Sequence, residues 1–177
     1  MIFRLSQALA KKLKEGTLPS VPLDENPYAD WSAHLFTADR TQYIIVTNTR
    51  ALDSVVMYGK GIADYSEFIS RALSTLRDFM EDDGQGFVYQ RLIAPTSRSV
   101  RFAKALDRSV TGSINELVKF AKFYLKSDEI SPFEVGFKLN GILLSALGRS
   151  KSAPYGKPKE AFKALGDDLR PGTSGEA

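Results

Sequence analysis

The sequence predicts a single soluble α+β domain: an antiparallel sheet of four to five strands, with four to five helices packed mainly on one face. Three observations carry this. The 177 residues are enough for one domain, which at that size buries roughly 70% of its unfolded surface. Residues 31–61 concentrate β-branched and aromatic residues, with turn residues at even spacing. From Asp64 onward apolar residues recur at helical spacing instead.

Taken in order, Ile2 to Leu5 reads as a short strand, and Ser6 as the cap of a helix that turns Leu9 and Leu13 inward and Lys11, Lys12 and Lys14 outward. Gly16 ends it. TLPSVPLDENPYAD carries three prolines and reads as an extended connection, because proline removes a backbone donor and biases its predecessor away from helix. Three antiparallel strands follow at 31–37, 42–47 and 52–58, joined by a tight turn at Asp39 and Arg40 and a second turn at 48–50. Strand centres such as Leu35–Phe36 and Ile44–Ile45 are apolar on both sides, which asks for cover on both faces or a partner on one. Asp64 with Glu67 caps a helix that carries Phe68, Ala72, Leu76 and Phe79 or Met80 to the stop at EDDG.

The stretch 85–93 reads as a short further helix, and 100–103 as another strand. In DRSVTGSINEL, Ser113 and Glu116 have the spacing of a capping box, so a helix is expected over 114–126. SPFE opens the next one, with Ser131 as cap, Pro132 in the first helical position and Glu134 in the third. The domain is expected to span 1–147. Residues 148–177, rich in Gly, Pro, Ser and Lys, are expected to form a basic, loosely ordered tail with a loosely held turn of helix at KEAFKAL and a disordered end.

Composition closes several classes of function. There is no cysteine, hence no disulfide, thiolate metal site or cysteine nucleophile, which fits a reducing compartment. No stretch approaches the ~20 apolar residues of a membrane span. The N-terminal residues alternate charge with apolar side chains, unlike a signal peptide, and a cytoplasmic location is expected. No Walker loop, dinucleotide fingerprint or HExxH pattern occurs. The lone acidic cluster, Glu81, Asp82 and Asp83, is most simply a solvated helix end, so neither a metal nor a cofactor is expected.

Charge is unevenly distributed. Residues 61–85 hold six acids against two arginines, and residues 86–126 hold eight bases against two acids. Such stretches usually pair within a fold. The alternative is a basic face. Arg98, Arg101 and Arg108 lie near enough in sequence to converge on the helix start of Ser109, Gly112, Ser113 and Asn115, where free backbone N–H groups and guanidinium forks hold anions. A capping box at Ser113 would consume two of those donors; Arg108, Ser109 and Asn115 are not required by it. For catalysis the one histidine, His34, would act with Asp39, Arg40 and Asn48 around the hairpin. A buried or half-buried strand histidine with one hydrogen bond is the plainer reading.

The segments MIFRLSQALAKKLK, DWSAHLFTADRTQYIIVTNTRALDSVV and RSVTGSINEL resemble an uncharacterised family of small bacterial proteins, a domain of unknown function. Its RSxxGSxN[DE]L signature is matched here by Arg108, Ser109, Gly112, Ser113, Asn115, Glu116 and Leu117, and its TN pair by Thr47 and Asn48. The family often places a proline and a methionine after a late Leu-Asn pair; here Leu139 and Asn140 are followed by GILL. The resemblance implies a bacterial, cytosolic protein and carries no activity. Three functions stay open: a non-catalytic binding or interaction module, for nucleic acid or another polyanion; a small cysteine-free enzyme with its polar site around the 31–48 hairpin; and a protein–protein adaptor. The sequence sets no oligomeric state.

Overall fold

A computed structural model describes residues 1–126 and 129–168. One five-stranded sheet, in the order β4-β3-β2-β1-β5, organises them. Its strands are β1 (Ile2–Leu5), β2 (Asp30–Ala38), β3 (Thr41–Asn48), β4 (Ser54–Tyr58) and β5 (Arg101–Ala103). The α+β class and the strand number are as expected, but the sheet is mixed. β2, β3 and β4 form the antiparallel meander, whereas β1 runs parallel to β2 on one side and to β5 on the other. β1 lies inside the sheet, between β2 and β5, and each parallel pairing needs the chain to cross over between the two strands.

Local chemistry explains most element ends. Asp39 and Arg40 both have positive φ, +45° and +65°, the geometry of a two-residue hairpin turn whose twist matches its strands. Leu52 is also left-handed, at +62°, so the second turn runs on to Asp53 and β4 begins at Ser54 rather than at Leu52. α1 (Gln7–Lys12) is capped by Ser6, whose Oγ accepts the Leu9 N–H at 3.2 Å. α2 (Tyr65–Asp82) is capped by Asp64, and Gly84, at φ +73°, turns the chain after it. α3 (Gly86–Val88) passes through a π turn (Tyr89–Ile93) into a 3-10 turn (Ala94–Arg98). α5 (Pro132–Leu139) has the expected capping box: Ser131 Oγ accepts the Glu134 N–H, and Glu134 Oε2 accepts the Ser131 N–H.

α4 (Arg108–Leu125) departs from expectation. It starts almost two turns before Ser113, with Asp107 as cap; Asp107 Oδ1 accepts the Val110 N–H at 2.9 Å. Ser113 is buried inside the helix and its hydroxyl donates back to the Ser109 carbonyl at 3.1 Å. The earlier start wins because Asp107 is an equally good cap, and the added turns continue the stripe that packs on the sheet.

Helices cover both faces, not mainly one. Phe3, Trp31, Ile44, Val46, Val55 and Met57 face α1, α2 and α6 (Pro158–Asp168). On the reverse face Phe36, Tyr43, Ile45 and Val56 meet Ile114, Leu117 and Ala121 of α4 and Val135 and Leu139 of α5. The doubly apolar strand centres require this; Ile44 and Ile45 are both fully buried. α5 also guards the edge strand β4. A Cβ on Gly136 would lie 2.8 Å from the Phe79 ring and 3.1 Å from the Ser54 carbonyl, so glycine permits this approach.

Two connections are better ordered than their composition suggests. The proline-rich segment lies over β1, where Arg4 donates to the Val21 and Pro22 carbonyls at 2.7 and 3.0 Å and pairs with buried Asp30. The expected loose turn at KEAFKAL is the eleven-residue helix α6, with Phe162 fully buried against Tyr28 and Trp31. Its amphipathic spacing docks an aromatic anchor, Phe162, which composition alone does not reveal. The disordered end expected beyond it, from residue 169, lies outside the described residues. Among those residues no helix is long and apolar enough to cross a membrane.

Candidate ligand-binding cleft

The sheet leaves a cleft where its parallel strands end. β1 stops at Leu5, opposite Ala33, so β2 has no strand partner on that side from His34 onward, and the Leu35 N–H is met by Ser6 Oγ at 3.4 Å. After β1 the chain passes into α1 on one face of the sheet; after β5 it passes into α4 on the other. Two connections diverging from the carboxyl ends of adjacent parallel strands create a crevice, as at the switch points of open α/β sheets. Here its volume is about 860 Å³, and its walls come from α1, the 15–18 turn, His34 and Leu35 of β2, residues 104–105 and the first half of α4.

His34 is one of the polar residues that line the cleft. It stands opposite Ile45 on β3 and is buried. Among the described residues nothing hydrogen-bonds to its ring, unlike the satisfied strand histidine that the sequence suggests. Burial pushes its pKa below the ordinary 6.5, so the imidazole is neutral at neutral pH. Lys11 and Glu15 border the same space from the α1 side and Lys104 from the end of β5. None of these three charges is in an ion pair among the described residues; the pairs there are Arg4–Asp30, Arg77–Asp78 and Lys159–Asp83. The acidic and basic stretches of sequence therefore do not pair with each other in those residues. Thr111 and Asn115 of α4 complete the polar wall.

Of the residues that the sequence singles out, the fold brings His34 and Asn115 to this cleft and scatters the rest. Asp39 and Arg40 form the exposed turn at one end of the hairpin, and Asn48 lies opposite Trp31 at the other, seven residues or about 24 Å along the strand. Asn48 is structural: Oδ1 accepts the Arg50 and Ala51 N–H groups, and Nδ2 donates to the Pro27 carbonyl at 2.9 Å. The proposed anion set also divides. Arg101 pairs with Ile2 at the start of β1, near the N-terminal ammonium that donates to Thr96 and Ser99 carbonyls, with Arg98 just before it. Arg108, Ser109, Gly112 and Ser113 lie within α4, where Asp107 holds the helix start. Nothing local in the sequence distinguishes Lys11, Glu15, Lys104 and Thr111 from surface residues; only the fold brings them to the cleft.

Asp53 is buried with neither carboxylate oxygen hydrogen-bonded among the described residues, and burial, with Asp83 nearby, raises its pKa to about 8 despite the opposing charge of Lys159. Along α4, Phe120 and Phe123 are exposed beside Lys119 and Tyr124 in an open groove of about 800 Å³ that Gly112 also lines and that shares Asn115 with the cleft. Among the described residues no three His, Cys, Asp or Glu side chains converge as a metal site.

Comparison with known proteins places residues 2–161 in a family described as a domain of unknown function, DUF6933, and the chain belongs to it. No curated protein matches the chain.

Proposed function

We propose that this member of the DUF6933 family is a non-catalytic binding module that holds a small anionic molecule in the cleft over His34. The observation that carries the reading is that Lys11 and Lys104, whose ammonium groups are unpaired among the described residues, border a concave space also lined by His34, whose ring has no hydrogen-bond partner among those residues. Ligand sites are commonly concave, largely apolar and supplied with a few convergent polar groups. Ser6 shares the cleft, but its hydroxyl accepts the Leu9 N–H and makes no hydrogen bond to His34, so no nucleophile–base pair supports an enzymatic reading. A polyanion reading is weaker, since Arg98 and Arg101 stand toward the opposite end of β5 from Lys104.

The test is a binding screen of small carboxylates and phosphates by NMR of the intact chain. Binding is expected to perturb the amides of Lys11, Lys104, Thr111 and Asn115, and to be lost in a Lys11→Glu/Lys104→Glu variant that keeps the wild-type spectrum elsewhere. Ligands that instead perturb Arg98 and Arg101, or bind the variant equally well, would reject the cleft as the site.

A further inference from the structure

We infer that the cleft selects an amphipathic molecule with one oxyanion headgroup, a carboxylate or phosphate, on a short apolar body, and that His34 takes up a proton as that headgroup binds. This rests on the cleft being the binding site proposed above. The apolar body is called for by Leu5, Leu18, Leu35 and Ala105, which line the same space as the charged groups. The oxyanion is called for by donors that have no acceptor: the side-chain ammonium groups of Lys11 and Lys104 and the side-chain amide of Asn115 have no hydrogen-bond or ion-pair partner among the described residues. Glu15 is the single carboxylate on the wall, leaving the two lysines in excess and rejecting a second negative group.

His34 is placed to report which headgroup arrives. The charged groups facing the cleft are Lys11 and Glu15 on the α1 side and Lys104 after β5; α4 offers uncharged Thr111 and Asn115, β1 offers Leu5, and the β3 neighbour is Ile45. Among the described residues no carboxylate bonds to the imidazole, and burial favours its neutral form. An oxyanion brought beside it supplies the missing counter-charge and favours the imidazolium, the proton coming from solvent. Linkage then makes binding proton-coupled, with affinity rising as pH falls. A ligand that lacks the oxyanion gains nothing from this step.

His34 is the only histidine of the chain, so its ring carbon and proton resonances report on it alone in the intact protein. Hexanoate, phenyl phosphate, inorganic phosphate and hexylamine are the probes. Hexanoate keeps its charge across the range used, so it isolates the protein's proton, and comparison with phenyl phosphate distinguishes carboxylate from phosphate. The expected result is a His34 pKa raised by about one unit in saturating hexanoate or phenyl phosphate, with affinity tightening as pH is lowered from 8 to 6 by no more than about ten-fold in total, the limit that a one-unit shift sets. Inorganic phosphate, which lacks the apolar body, binds more weakly than phenyl phosphate. A His34→Gln variant still binds, without the pH dependence. Probes that shift the cleft amides while the His34 pKa stays fixed would overturn proton uptake and leave the binding module standing. Hexylamine binding as tightly as hexanoate overturns the oxyanion class. Failure of every probe to perturb the cleft overturns both readings.

Discussion

Asn140 grips Ser54 from outside the sheet: its Oδ1 accepts the Ser54 N–H at 2.7 Å and its Nδ2 donates to the Ser54 carbonyl at 3.0 Å. β4 is an edge strand, and these are main-chain groups that would otherwise be exposed or orphaned. A side-chain amide offers the donor and acceptor of a neighbouring strand on one residue. Leu139, buried beside it, anchors the end of α5 that delivers the amide. The late Leu-Asn pair thereby acquires a structural role. Asn140→Ala is expected to cost about 3 kcal/mol, because two buried backbone groups lose their partners, measured by urea unfolding. A loss no larger than that of the exposed control Asn115→Ala would show that water replaces the amide.

Arg4 and Asp30 lie on adjacent parallel strands and form a two-point ion pair, Nε to Oδ1 at 2.8 Å and Nη2 to Oδ2 at 2.7 Å, with both side chains buried. Removing one partner leaves a buried charge alone, so Arg4→Met should cost about 3–5 kcal/mol. Arg4→Met/Asp30→Leu is expected to be less destabilised than Arg4→Met, since no charge is stranded. Because Arg4 also holds the Val21 and Pro22 carbonyls, limited proteolysis of Arg4→Met should cut first within 17–29. Cutting elsewhere first would separate the ion pair from the order of that connection.

Asp53 holds its proton to about pH 8 in the fold, while an unfolded aspartate releases it near 3.8. Between those values the native state binds the extra proton. Stability therefore falls as pH rises, by at most about 1.4 kcal/mol per unit, and levels off above about pH 8. Asp53→Asn should abolish this decline and be more stable than wild type at alkaline pH; parallel declines in urea midpoint across that range would assign the slope to another group. His34 acts in the opposite sense. Its pKa is lowered in the fold, so its contribution is lost as pH falls below about 6.5.

Phe162 makes edge-on contact with Tyr28, ring centres 5.3 Å apart at 89°, and a tilted contact with Trp31. Phe162→Ala should cost about 3–5 kcal/mol, the range for a buried aromatic replaced by a methyl group. Hydrogen exchange is expected to show α6 losing protection together with the amides around Tyr28. If α6 exchanges freely and the global stability is unchanged, the helix is peripheral.

Sequence alone determined what neighbouring residues decide between themselves. The left-handed turn at Asp39 and Arg40, the caps at Ser6, Asp64 and Ser131, and the apolar stripe of α2 are set by interactions spanning a few residues. Where two local solutions competed, it could not choose: Asp107 and Ser113 are both good caps, and only packing against the sheet selects the earlier start. Tertiary structure decided the rest. The parallel pairing of β1, the docking of Phe162, the Asn140 clamp reaching 86 residues along the chain and the meeting of Lys11, His34, Lys104 and Asn115 all depend on contacts between distant segments. Such contacts are stabilised by buried area and shape, which emerge only after the helices have chosen their faces. The DRSVTGSINEL stretch contains both kinds of information: its helical character is local, but the cleft position of Asn115 follows from where the sheet places α4.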